Sequence, residues 1–447
     1  MANSQKELEK VLDKVLEYSS ADQTEVLAAE RNQALTRFSN SQIHQNMAEK
    51  NIHLSVRVVK DNRIGWSSTH SFEKKSIEKT VDLALTIARA RDPDPDFKSL
   101  PAQTGRLRKI FFSEDTLNYS PEARANKVLE IITKASQKNF LAAGAFRTGG
   151  GVFGIANSLG IQAVSPLSEA ALNTVIMSET SSGYASVLSD DATKVKAEKL
   201  AEIAAEKALH SQNPMTIEAG EYTVILEAEA VADMLAWLGI SGLGALSVQE
   251  GRSFMCDKLG EKIVGENVTL WDDGQDPRTL GLPFDFEGVA KQKVILIEEG
   301  IAKNVVYDSY TANKEGKKST GHALPAPNVY GPLPLNVFMK EGNTPLDEMI
   351  SGTERGILVT RFHYTNLEDP IKTIFTGMTR DGTFLIENGK IGRGLKNFRF
   401  TQNILEALSQ IQAISPELEV KEVLGVGVYN VPALKIAKFN FTGISPT

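Results

Sequence analysis

Cysteine is nearly missing from this chain: one residue, Cys256, among 447. A single thiol excludes an internal disulfide framework and any zinc cluster built on cysteines. Histidine is also scarce, with six residues (His44, His53, His70, His210, His322 and His363) and no two close in sequence. No run of ~18 apolar residues and no signal-peptide-like apolar core occurs, so a cytoplasmic chain with no membrane span is expected. An excess of basic residues is absent too. The net charge of −7 and pI near 5.6 argue against a nucleic-acid surface. What is present, 41% hydrophobic and 23% charged residues, is the composition of a globular protein. The length exceeds what one core usually holds, so two domains are expected, 1–215 and 216–447, with the boundary near 213–220.

In the first half, Ser4-Gln5-Lys6-Glu7 reads as a capping box opening a helix whose apolar stripe is Leu8, Val11, Leu12, Val15 and Leu16. A strand is predicted over 24–29. Ile52, Leu54, Val56 and Val58 alternate along a second strand, which Asp61-Asn62 turns into a partner over 63–68. Helices are predicted over 72–90, from Ser120-Pro121 onward, and over 191–210, separated by strands over 140–145, 152–156 and 170–177. The proline-bearing stretch 91–105 reads as a loop. The second half is poorer in helix. Strands are predicted over 268–271, 289–298, 301–308, 356–362, 373–378 and 383–387, and one helix over 402–409. Glu298-Glu299-Gly300, Arg380-Asp381-Gly382 and Glu387-Asn388-Gly389-Lys390 supply hairpin turns. The fold class is α+β: a mixed α/β N-terminal domain followed by a β-dominated C-terminal one.

The most informative stretch is 220–262. Tyr222 to Leu226 suits a short buried strand, and Val231, Met234, Leu235 and Leu238 place a helix after it. Gly239, Ser241, Gly242, Gly244 and Ala245 then end that helix, and Arg252-Ser253-Phe254 and Asp257-Lys258-Leu259-Gly260-Glu261 follow. With Pro283-Phe284-Asp285-Phe286-Glu287-Gly288, Ser319-Thr320-Gly321-His322 and Leu385-Ile386-Glu387-Asn388-Gly389 in the same order, this resembles the TldD/TldE (PmbA) family, the "modulators of DNA gyrase" classed with the metallopeptidases. The resemblance is loose before Gly220 and close from there to about Phe400.

TldD-like members carry His-Glu-x-x-x-His on this helix and bind a catalytic metal there. Read without gaps, those positions here run from Ala236 and Trp237 to Ser241. Alanine has no lone pair, an indole N–H only donates, and a hydroxyl substitutes poorly for imidazole. The region 424–438, where TldD-like chains place a further cysteine ligand, has none. The resemblance therefore implies a TldE-type chain with no metal or cofactor of its own.

Four residues are candidate peptide contacts: Arg361, His363, His322 and Arg380. Arg361 and His363 share one strand face by the period of two, where the strand enters a loop, and such a pair suits carboxylate or peptide recognition as well as a solvated sheet edge. His322 precedes a loop with Pro325, Pro327, Pro332 and Pro334 that reads as a rigid surface segment, while Arg380 sits in the predicted turn. Asp285 and Glu287 would suit an acid–base pair, but alternate as one polar face of a strand. Gly149-Gly150-Gly151-Val152-Phe153-Gly154 fits a dinucleotide fingerprint by letter and fails by context, since no helix is predicted to follow.

The resemblance implies a subunit of a TldD/TldE metallopeptidase complex. This chain would wall a peptide cavity and hold unfolded peptide extended, while a TldD-like protein supplies the metal, zinc by family analogy. Two alternatives differ in class. One is a self-sufficient hydrolase, a homodimer using these histidines with carboxylates such as Asp381. The other is a peptide-binding protein without catalysis.

Overall fold

The computed structural model describes residues 2–103, 105–108, 110–423, 425 and 427–444. Period-two alternation builds an antiparallel sheet of six strands, β1 (Gln23–Ser39), β2 (Gln42–Lys60), β3 (Arg63–Thr69), β4 (Leu141–Asn157), β5 (Gln162–Met177) and β6 (Ser182–Ser189), in the order β3-β2-β1-β4-β5-β6. Helices α1 (Ala2–Tyr18), α2 (Lys74–Arg89), α4 (Pro121–Ser136) and α5 (Ala197–His210) bury their apolar stripes on one face, and α3 (Glu114–Leu117) is a single turn. Two cores result. One joins Leu12, Val56 and Val81, the other Phe146, Ile131 and Ala204. Ser120 caps α4 as predicted, accepting the Ala123 N–H at 3.1 Å.

In the first half the predicted strands fall short of those found, whereas in the second half those over 289–298 and 301–308 shrink to Val294–Glu298 and Ile301–Ala302. β1 and β2 run on through 30–51 as a long hairpin whose β2 arm is largely exposed, so polar residues on both faces erase the alternation. α1 starts at Ala2, which puts Ser4 inside the helix rather than at its cap. The predicted helix over 191–210 is interrupted, with a 3-10 turn at Ala192–Lys194 before α5. The glycine triplet lies inside β4, with no phosphate loop. A Cβ on Gly149 would come within 2.5 Å of the Asn32 carbonyl oxygen, and one on Gly151 within 2.0 Å of that of Glu30. Close strand approach is what these glycines permit.

The second half holds two further sheets. In one, β7 (Gly220–Leu226) is the parallel neighbour of β12 (Arg355–Asp369), and the order continues through β19 (Leu434–Ile444), β15 (Phe398–Asn403), β13 (Ile374–Glu387) and β14 (Lys390–Gly394), with β16 (Ile411–Ile414) on β19. The other has β8 (Leu270–Asp272), β9 (Val294–Glu298), β10 (Ile301–Ala302), β11 (Asn336–Met339), β17 (Glu419–Val423) and β18 (Gly427–Val431), ordered β10-β9-β8-β11-β18-β17. α6 (Ala228–Gly242) packs into the core between them. The α+β class with a β-rich C-terminal region is thus the observed one. No helix of the described residues is long and apolar enough to cross a membrane.

The helix-free face of the first sheet meets the second half. Arg57 of β2 reaches Glu25 at 2.7 Å and Glu287 at 3.0 Å, Arg147 of β4 reaches Glu422 at 2.7 Å, and Ile155 packs with Phe284. Between these contacts lie two cavities of about 360 and 300 Å³, both bordered by Gln33, Arg147 and Glu422.

Candidate functional site

The helix α6 is apolar on most of its surface, which is why it is buried. Its remaining stripe carries Glu229, Asp233, Trp237 and Ile240, spaced by four, four and three residues. Ala236 is 2% exposed, and Ser241 is buried with its hydroxyl donating to the Leu238 carbonyl at 2.8 Å. Beside them the space is filled. A Cβ on Gly239 would meet Pro334 Cγ at 3.3 Å and the Tyr429 hydroxyl at 3.5 Å, and the cavity between these groups holds only about 10 Å³. A metal does not fit here, for lack of both donors and room. Among the described residues no three His, Cys, Asp or Glu side chains are grouped to hold one. The helix ends at Gly242, within the run of small residues that the sequence places at its end.

Facing α6 is the pair β12–β13, whose register places Arg361 opposite Arg380 and His363 opposite Met378. The predicted hairpin at 380–382 is instead a bulge within one continuous strand. Asp381 (φ 54°) and Gly382 (φ 125°) take the left-handed backbone that had suggested a turn. The bulge aims Asp381 inward, where its carboxylate accepts the Arg361 Nε–H at 2.8 Å and the Ser182 hydroxyl at 2.7 Å. The Arg361 guanidinium also sits over the Tyr184 ring, 4.3 Å from its centroid. Arg361 is thus a brace between the two halves. His363 is half-buried, 4.4 Å ring to ring from Tyr364, which is 80% exposed with φ of 50°. Burial, with Arg380 and Arg361 nearby, lowers the His363 pKa and favours neutral imidazole. Arg380 reaches solvent, with its side chain 45% exposed.

Asp233 completes this cluster, and sequence reading passed over it. Burial and the neighbouring Glu229 push its carboxyl up to about 6, against a hydrogen bond from Thr365 and the charge of Arg361. The available signal was an acidic pair, Glu229 and Asp233, one turn apart in a helix otherwise composed of apolar and small residues. Glu229, one turn earlier, pairs with Lys421 of β17 at 3.2 Å and with the Ser186 hydroxyl.

His322 is not at the surface. It is 2% exposed, its Nε2 lies 2.9 Å from Asp272 Oδ1 and its Nδ1 lies 2.9 Å from the Thr320 hydroxyl. Asp272 in turn accepts the Asn336 N–H at 2.7 Å. The loop that follows it is exposed at Pro325, Pro327, Val329 and Tyr330, but His322 itself is buried, so it is removed from the peptide-contact set. Asp285 and Glu287 are not a polar strand face either, because both are buried in a loop. Asp285 accepts the N–H groups of Glu287, Val289 and Ala323, each at 2.9 Å, and Glu287 accepts Arg57 and Ser309.

Comparison with known proteins agrees with this architecture. Residues 219–443 match the description PmbA/TldA metallopeptidase C-terminal domain, and residues 24–88 match PmbA/TldA metallopeptidase domain 1. An uncharacterized protein of Methanocaldococcus jannaschii is 26% identical over 363 residues, 80% of this chain and 83% of its own length. The metalloprotease PmbA of Escherichia coli O157:H7 is 24% identical over 400 residues, 86% and 85% of the two chains. In fold, the crystal structure of TldE from Thermococcus kodakarensis superposes with a TM-score of 0.89 at 23% identity, covering 98% of this chain and 100% of that one. The matched segments and shared architecture make this chain a member of the PmbA/TldD family of metallopeptidase-like proteins.

Proposed function

We propose that this chain is the TldE-like, non-catalytic subunit of a two-chain cytoplasmic peptidase, with zinc and the general base supplied by a TldD-like partner. The observation that carries this reading is the α6 face, where Ala236, Trp237 and Ser241 stand at the metal-motif positions and Pro334 and Tyr429 fill the adjoining space. The chain walls a shared cavity and holds unfolded peptide in extended form. His363 and the solvent-reaching Arg380 touch the peptide, and Arg361 braces the strand that carries them. Retaining this scaffold without metal ligands is intelligible if substrate is gripped on both sides of a metal held elsewhere, as a pseudo-symmetric heterodimer of related chains allows.

The test is peptide hydrolysis by this chain, by a TldD-like partner and by their mixture, each with and without chelator, alongside elemental analysis of each. Chelator-sensitive cleavage that appears or rises strongly on mixing, with the metal travelling with the partner, is expected. Robust chelator-insensitive cleavage by this chain alone would overturn the reading and promote the homodimeric hydrolase.

A further inference from the structure

A separate cavity of about 460 Å³ opens between α5, β6 and β17, at the junction of the two halves. Its size falls within the range of small-molecule sites, and domain junctions are where such sites concentrate. Five lysines and three glutamates line it. Lys207 is paired with Glu227, Lys194 with Asp191 at 3.5 Å, and Lys421, only 6% exposed, is held between Glu229 and Glu419 at 3.2 and 2.9 Å. Lys196 and Lys199 remain, and neither is within ion-pair distance of a carboxylate among the described residues, although the charge of Lys199 is felt at Glu419. Lys196 is also the N-cap of the 14-residue α5 and makes no side-chain capping bond, so the positive end of that helix dipole adds to the same wall.

A second observation is independent of the lysines. Thr360, on β12 at the cavity's inner wall, is 1% exposed and its hydroxyl has no hydrogen-bond partner. A buried hydroxyl left unpaired is costly unless something supplies the missing bond. Uncompensated positive charge at the mouth and an unpaired hydroxyl within ask for the same thing, an oxyanion with several acceptor atoms.

We propose that this cavity binds a small polyanion carrying at least two carboxylate or phosphate groups. One oxyanion group would lie against Lys196, Lys199 and the start of α5, and another would reach inward to Thr360. The site adjoins the α6–β12 cluster proposed to contact peptide, sharing Tyr184 and Glu229 with it, while its proposed anion contacts are Lys196, Lys199 and Thr360.

Isothermal titration of the intact chain with inorganic pyrophosphate, and separately with citrate, tests this. Saturable binding of at least one probe is expected, weakened tenfold or more in Lys196→Gln/Lys199→Gln and severalfold in Thr360→Val. Binding of pyrophosphate alone would identify a phosphate ligand, and of citrate alone a polycarboxylate. No saturable binding of either at millimolar concentration would overturn the proposal. So would binding that Thr360→Val leaves unchanged and modest salt abolishes, since that places the anion on surface lysines rather than in the cavity.

Discussion

Arg361, in the C-terminal half, holds its guanidinium over the ring of Tyr184, in the N-terminal half, while donating to the buried carboxylate of Asp381. One side chain thereby joins two sheets that share no strand. Arg361→Ala removes the stacking and leaves Asp381, whose side chain is 4% exposed, with the Ser182 hydroxyl as donor and Arg380, 4.0 Å away, as its remaining cation. A loss of roughly 2–4 kcal/mol in folding stability is expected. Adding Asp381→Asn should recover part of that loss, because the stranded charge disappears. Urea denaturation of both single variants and the double variant measures the coupling. A single-variant cost below about 0.5 kcal/mol would mean the brace contributes little.

Asp233 should make stability depend on pH in a definite sense. Its folded pKa, pushed up to about 6 chiefly by burial, lies above the ordinary 3.8. Its contribution is fully present below the unfolded value and is lost as pH rises through about 6, as the carboxyl ionises in a buried place. A two-unit shift corresponds to at most roughly 3 kcal/mol. Asp233→Asn cannot ionise, so its advantage over the native chain should grow from pH 5 to pH 8. Parallel stability curves for the two proteins would remove Asp233 as the source.

How far the sequence could be read is decided by burial pattern. The hairpin turns at Asp61-Asn62, Glu299-Gly300 and Asn388-Gly389 were legible because their left-handed backbones demand those residue types. Asp381-Gly382 carries the same local chemistry, and only the cross-strand register distinguishes its bulge from a turn. The hairpin arms over 30–51 were invisible because neither face is deeply buried along most of their length. Of the site, Arg361 and His363 on one strand were legible. Asp233 and Lys421 were not, since the contacts that set them apart, Arg361 and Thr365 for Asp233 and Glu229 for Lys421, lie 128 or more positions away.

His322 should behave as a keystone rather than as a peptide contact. Burial pushes the Asp272 carboxyl up, but His322, Lys291 and the Asn336 N–H outweigh it and hold the pKa below its usual value. His322→Ala removes one member of a buried pair, which typically costs about 3–5 kcal/mol. His322→Gln, which retains a hydrogen-bonding group, should cost less. Chemical denaturation of the two variants decides the matter. A fully stable His322→Ala that impairs only peptide turnover would restore the surface role.

On the proposed reading, His363 and Arg380, both part-exposed, act on turnover and not on folding. Arg380→Ala in the reconstituted mixture should lower kcat/KM by about 10- to 100-fold, the scale of a lost charged hydrogen bond at 1.5–3 kcal/mol. The neutral His363 should matter less, by about 1 kcal/mol. Wild-type kinetics for both variants, with unchanged melting, would assign this edge to solvent.

Restoring the motif should not restore a metal centre. In Ala236→His/Trp237→Glu/Ser241→His, three donors return to α6, yet the surroundings oppose them. Ala236 is 2% exposed, the space adjoining it is about 10 Å³, and Pro334 and Tyr429 close that space against Gly239. Two imidazoles five residues apart would also lie ~140° apart on the regular helix found here, so both face one ion only if the helix end loosens. The 424–438 segment still offers no cysteine as a further ligand. Overpacking of this kind typically costs 1–3 kcal/mol, so the variant should melt earlier and bind zinc weakly or not at all. Elemental analysis after dialysis, paired with a melting curve, tests this. One zinc per chain surviving dialysis in a protein of native stability would show that the α6 face retains a latent metal site, and that the missing ligands alone separate this chain from its metal-binding relatives.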